Sequence, residues 1–147
     1  MFDKILLPLD GSTLAEQAIP YAIAQAEHLG AEIVLLRAVE PLRGAAGATS
    51  KAVESVERRL ENLARDYLED VAVDIRARGI EVRTSVVRGR PHEEIVRFAE
   101  ENEVDLIVIS HHGQSGLSRW LMGTVADHVA RGATVPVLLI QTTKEDR

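Results

Sequence analysis

Short apolar runs alternate along the chain with longer stretches whose apolar positions recur at helical spacing. The first run, Ile5-Leu-Leu-Pro-Leu9, is continuous enough for a strand buried on both faces. From Thr13 to Leu29, the residues Leu14, Ala18, Tyr21, Ala22 and Leu29 fall near helical spacing, and Gly30 closes the helix. Ile33 to Leu36 predicts a second buried strand that extends to about Val39. Residues 40–49 hold Pro41, Gly44, Gly47 and several alanines, which reads as a loop. Lys51 to Arg78 predicts a long helix, with Val53, Val56, Leu60, Leu63, Tyr67, Leu68 and Val71 on one apolar stripe. Gly79 ends it. Ile80 to Val87 alternates apolar and polar residues, as a strand at a sheet edge does. Pro91 opens a helix from about His92 to Glu101. Leu106 to Ile109 is the most apolar strand, Leu117 to Arg131 a helix ended by Gly132, and Val135 to Ile140 a last strand. Pro136, near its start, suits an edge position.

Buried strands separated by helices predict an α/β fold: a single doubly wound open sheet of five mainly parallel strands with helices on both faces. No linker or internal repeat divides residues 1–147, so one domain is expected. In such a sheet a ligand binds beyond the carboxyl ends of the strands, where the strand order reverses. The segments of interest are therefore Pro8–Ser12, Ala38–Pro41, Arg88–Pro91 and Ser110–Gly116.

Composition narrows the chemistry. Aromatic residues are 3% of the chain, so its core must be built from Ala, Val, Ile and Leu. Cysteine is absent, which removes disulfides, thiolate metal sites and a cysteine nucleophile. The net charge of −6 argues against nucleic acid as a partner, because phosphate neutralisation needs a basic face. Neither a leader peptide nor an apolar run of the ~20 residues that cross a membrane is evident, so a soluble cytoplasmic protein is expected.

The segment richest in chemistry follows the most apolar strand: Ser110-His-His-Gly-Gln-Ser-Gly-Leu-Ser-Arg-Trp-Leu-Met-Gly-Thr124. Its glycines could let backbone approach a ligand, and amides near Gly123, Thr124 and Val125 could bind a phosphate at a helix start. Taken in isolation, glycines in such a loop more often do no more than turn the chain. Asp10 could accept from a ribose hydroxyl or hold magnesium beside phosphates, or Asp10 or Ser12 could cap the first helix. The opening strand is also similar to that of phosphatases whose first strand ends Asp-x-Asp, but the nucleophile position is Pro8. His111 and His112 are neighbours on an extended segment and point to opposite sides, which makes them a poor metal pair.

Gly113 is followed by nine residues and then by Gly123-Thr124, the first strand ends Pro8-Leu9-Asp10, and the chain closes Val135-Pro-Val-Leu-Leu-Ile140. In these features, and across its full length, the sequence resembles the universal stress protein family. The resemblance implies an adenine-nucleotide alpha-hydrolase-like fold and an ATP pocket between the first, second and fourth strands. Pro8, Leu9 and Asp10 would line that pocket near the adenosine. Ala38 would offer backbone hydrogen bonds to adenine. Gly113, Gly123, Thr124 and Val125 would hold ribose and phosphates, with Mg2+ accompanying the nucleotide.

Two positions depart from the family pattern. Ser110 stands where the family has its first motif glycine, and a Cβ there crowds the ligand unless the hydroxyl itself bonds it. Gln114 stands where a Lys or Arg is common, so a charge-assisted bond worth roughly 1.5–3 kcal/mol is missing. The resemblance also implies a homodimer through Val135–Ile140. The expected function is a stress-response regulatory module that binds ATP and signals as a homodimer to protein partners, with little or no hydrolysis. A nucleotide-free interaction module is the alternative. A metal-dependent phosphohydrolase using Asp10 with His111 or His112 is a third.

Overall fold

Strands β1 (Lys4–Pro8), β2 (Glu32–Val39), β3 (Val82–Arg88), β4 (Leu106–His111) and β5 (Val137–Gln141) form one sheet in the order β3-β2-β1-β4-β5. Every adjacent pair is parallel. The computed structural model describes residues 2–42, 50–111 and 124–142. The helices are α1 (Thr13–Glu16), α2 (Ile19–Leu29), α3 (Ser50–Arg76), α4 (Pro91–Glu101) and α5 (Thr124–Gly132).

Alternate residues of each strand feed one of two cores. Ile5, Leu7, Ile33 and Leu35 pack under α2 and α3, against Ala22, Ala26, Leu68, Ala72 and Ile75. Leu6, Val34, Leu36, Ile107 and Ile109 pack under α4 and α5, against Ile95, Ala99, Ala126 and Val129. The run of apolar residues in β1, β2 and β4 thus reflects burial on both faces. The chain moves outward from β1 to β2 and β3, then returns across β1 to β4 and β5. The direction of winding reverses between β1 and β4, which makes their carboxyl ends the topological switch point.

Three elements differ from the sequence expectation. The helix expected over Thr13–Leu29 is two helices. Pro20 cannot donate a backbone bond and its ring crowds the carbonyl four residues earlier, so an unbroken helix through Glu16 is barred. The chain bridges the gap with tighter bonds, Gln17 N to Leu14 O and Ala18 N to Ala15 O, each 3.2 Å. Ser12 caps α1, its hydroxyl oxygen accepting from Ala15 N at 3.1 Å. The last strand begins at Val137 rather than Val135, with Pro136 contributing its carbonyl to Ile107 N at 3.0 Å.

The third difference concerns α3. Its buried residues are Glu57, Ala64, Leu68, Ala72 and Ile75. Of the expected stripe, Leu68 is buried, whereas Val56, Leu60 and Leu63 are 47%, 37% and 59% exposed. The face that meets the sheet combines Ala64 and Ala72 with Leu68, Ile75 and one carboxylate, Tyr67 and Val71 pack partly buried against the same core, and Val56, Leu60 and Leu63 sit on the flank beside it. Glu57 is held in this position because it accepts from Leu42 N at 2.9 Å and faces Arg88 at 3.4 Å.

Candidate functional site

A cavity of about 160 Å³ opens at the switch point. It is smaller than the roughly 300–1,000 Å³ that encloses a drug-sized ligand, and it suits one flat group with the rest of a ligand outside. Pro8, Leu9 and Asp10 reach it from the end of β1, Leu36 and Ala38 from β2, and Ile109 and Ser110 from β4. Ala15 of α1, Pro91 and Ile95 of α4, and Val125 of α5 complete the wall. Strand alternation explains why Leu36 and Ala38 share the face. The space exists because Ala15, Ala38 and Ser110 are small where larger side chains would close it.

The structure therefore brings Pro8, Leu9, Asp10, Ala38, Ser110 and Val125 to one wall. Gly113, Gln114, Gly123 and the side chain of Thr124 lie outside the described residues. So does His112. Pro91 closes one of the strand-end segments marked in the sequence, whereas Leu36, Ile95, Ile109 and Ala15 were not singled out there. Leu36 was readable as the residue two before Ala38, and Ile95 as the next inward position one turn after Pro91.

Asp10 is exposed, and its Oδ1 accepts from Ser12 N at 2.9 Å, which tightens the turn into α1. Its second carboxylate oxygen has no hydrogen bond among the described residues. Ser110 is buried, and its hydroxyl donates to Ala15 O at 3.1 Å. The serine thus ties β4 to the end of α1, and its one proton is committed within the protein. His111 turns its ring to Asp127 at 3.1 Å and to Gln141 at 3.5 Å. Among the described residues no group of three metal-ligating side chains gathers.

The opposite side of the same strand ends is filled. The Arg37 guanidinium lies over the Tyr67 ring at 5.3 Å. The Tyr67 hydroxyl donates to Glu16 at 2.5 Å. Gly11, with φ +88°, passes so close that a Cβ there would lie 3.0 Å from Arg37. Burial, reinforced by the Glu16 carboxylate, pushes the Tyr67 phenol well above its ordinary range. A second, more open cavity of about 550 Å³ lies between the end of β2 and the start of α4. Its three carboxylates, Glu40, Glu93 and Glu94, face a single guanidinium, Arg90, which disfavours an anion.

These features define a doubly wound α/β domain with a small, largely apolar cavity at its switch point. Residues 1–141 match the universal stress protein family, and the chain belongs to that family. It is 33% identical to universal stress protein MJ0577 of Methanocaldococcus jannaschii over 96% of both chains. The solved structure of MJ0577 superimposes with a TM-score of 0.78, at 32% identity, covering 98% of this chain and 99% of that one. Two other universal stress proteins share the fold at 24% identity. One was solved in complex with cAMP, with a TM-score of 0.67 over 97% and 98% of the two chains. The other, from Archaeoglobus fulgidus, was solved in complex with dAMP, with a TM-score of 0.66 over 95% and 99%. Among the described residues no helix is long and apolar enough to cross a membrane.

Proposed function

We propose that this chain is a regulatory module that binds an adenine nucleotide, ATP in the first instance, with the base in the switch-point cavity. The observation that carries this reading is the cavity's lining: apolar walls from Leu9, Leu36, Ala38, Ile109 and Val125, with Asp10 at one side. A purine offers two apolar faces and a polar edge, which this combination suits. The second oxygen of Asp10 is available to a ribose hydroxyl. Phosphates would extend toward Gly113, Gly123, Thr124 and Val125, with Mg2+ accompanying them. Complexes of other family members with cAMP and dAMP support the ligand class.

Turnover is not expected. Asp10 is the one ionisable side chain on the cavity wall among the described residues, and its available oxygen is the one proposed to take the ribose hydroxyl. No second group there is placed to take a proton from water. The module acts by being loaded or empty. Its self-association is proposed through β5, an edge strand on which Leu139 is 37% exposed. Pairing with a second copy would remove that unprotected edge.

A nucleotide-free interaction module is the second reading, and Ser110 favours it. Its Cβ occupies space at the cavity wall, and its hydroxyl proton is directed to Ala15 O.

Calorimetry on the full chain with ATP, with and without Mg2+, separates the two readings. Saturable binding that disappears in Ala38→Trp, with the circular dichroism of the variant unchanged, is expected. No heat up to millimolar ATP would overturn the first reading in favour of the second.

A further inference from the structure

His111 stands beside the cavity but has no place on its wall. It is the last residue of β4. Alternation along the strand sends Ile107 and Ile109 into the core beneath α4 and α5, and His111 is the next position on that face. Its side chain is only 18% exposed, and Nε2 lies 3.1 Å from Asp127 Oδ1. The strand end is itself secured, because the His111 carbonyl accepts from Thr142 N at 3.1 Å.

Asp127 is the fourth residue of α5 and lies in its first turn. Val125, two residues earlier, is on the cavity wall. Two residues turn a helix by roughly 200°, so Asp127 and Val125 occupy nearly opposite flanks of one turn. The imidazole therefore holds α5 on the flank away from the cavity. A hold on that flank fixes the roll of the helix about its own axis. The roll sets how far Val125 reaches toward Ile109 and Ser110 on the strand side of the cavity.

We infer that His111 is a positioning residue for the switch-point cavity: its bond to Asp127 ties the end of β4 to the first turn of α5, 16 residues on, and keeps the wall at the width the ligand meets. The inference rests on the nucleotide reading of that cavity, and the bond acts on affinity by preorganising the wall. The bond forms with a neutral ring that carries its proton on Nε2 and with a protonated ring alike. Asp127 is half exposed, so water screens the pair and its effect is moderate.

Two variants separate the bond from the bulk of the side chain. His111→Leu keeps a similar volume and loses the donor. His111→Gln keeps a donor nitrogen near the position of Nε2. Calorimetry with ATP on the full chain should show roughly three- to tenfold weaker binding for His111→Leu, and binding within about twofold of wild type for His111→Gln. Asp127→Ala should lose the same factor as His111→Leu, and the two changes together no more than either alone. Unchanged affinity in His111→Leu, an equal loss in His111→Gln, or losses that multiply in the double variant would each overturn the proposal. Amide hydrogen exchange without nucleotide reads the same hold independently. The amides of His128 and Val129, which close the first turn of α5, should exchange faster in His111→Leu than in wild type or His111→Gln. If wild type binds no ATP, this pattern would fail the nucleotide reading and still support the hold on α5; unchanged exchange would overturn the hold itself.

Discussion

Ala38 and Arg37 are consecutive residues of β2, yet the regions they enter have opposite characters. Ala38 faces α4 and α5, where small side chains leave a cavity. Arg37 faces α1 and α3, where its guanidinium, the Tyr67 ring and the Gly11 backbone fill the equivalent space. Strand alternation delivers the two residues to opposite faces, and side-chain volume then decides which face can admit a ligand. The open side is expected to govern affinity and the filled side stability.

The largest expected effect tests that division on the open side. Ala38→Trp should lower ATP affinity by at least about 100-fold, or ~2.7 kcal/mol, while leaving the denaturation midpoint nearly unchanged. Calorimetry and urea titration measure the two separately. On the filled side, Tyr67→Ala should do the reverse. Removing a half-buried ring is expected to cost about 2 kcal/mol of stability, less than the 3–5 kcal/mol of a fully buried aromatic, with affinity within a factor of about three. A large loss of affinity in this variant would break the comparison.

Ser110→Ala is expected to have a smaller effect, about 1 kcal/mol of stability, because it removes the hydroxyl bond that ties β4 to α1. The smallest effect is alkaline. Burial and the Glu16 carboxylate raise the Tyr67 phenol above its ordinary value of ~10. A raised folded-state value means the stability contribution is complete below the unfolded value and is lost as pH rises past it. As pH rises above about 10, stability should therefore fall more steeply in the wild type than in Tyr67→Phe, as read from urea midpoints at each pH.

Much of this arrangement was legible in the sequence. Continuous apolar strands at Ile5, Ile33 and Leu106 announced a sheet covered on both faces, and the strand ends pointed to Pro8–Asp10, Ala38 and Ser110. The two edges of the sheet were legible, from the alternation of Ile80–Val87 and from Pro136, and β3 and β5 do stand at its ends; the order of the three strands between them was not, since periodicity says nothing about which strands are neighbours. Pro20 was a readable signal that helix Thr13–Leu29 must break, outweighed by the apolar spacing around it. The stripe expected on α3 held at Tyr67, Leu68 and Val71 and failed at Val56, Leu60 and Leu63, where bulk was taken as the mark of burial. Ala64 and Ala72 fit close to the sheet, and Glu57 is buried by specific bonds, whereas Leu60 and Leu63 lie on the flank. The bond from Ser110 to Ala15 and the Arg37–Tyr67–Glu16 cluster join residues far apart in the chain, and no local pattern records them.

The central claim is that the base of an adenine nucleotide occupies the cavity beside Ala38. Intermolecular nuclear Overhauser effects between bound ATP and methyl-labelled protein test it most directly. The account predicts contacts from the adenine ring protons to the methyls of Ala38, Leu36 and Val125. Contacts to methyls of the α3 face instead, or saturable binding with no contact to Ala38, would contradict it.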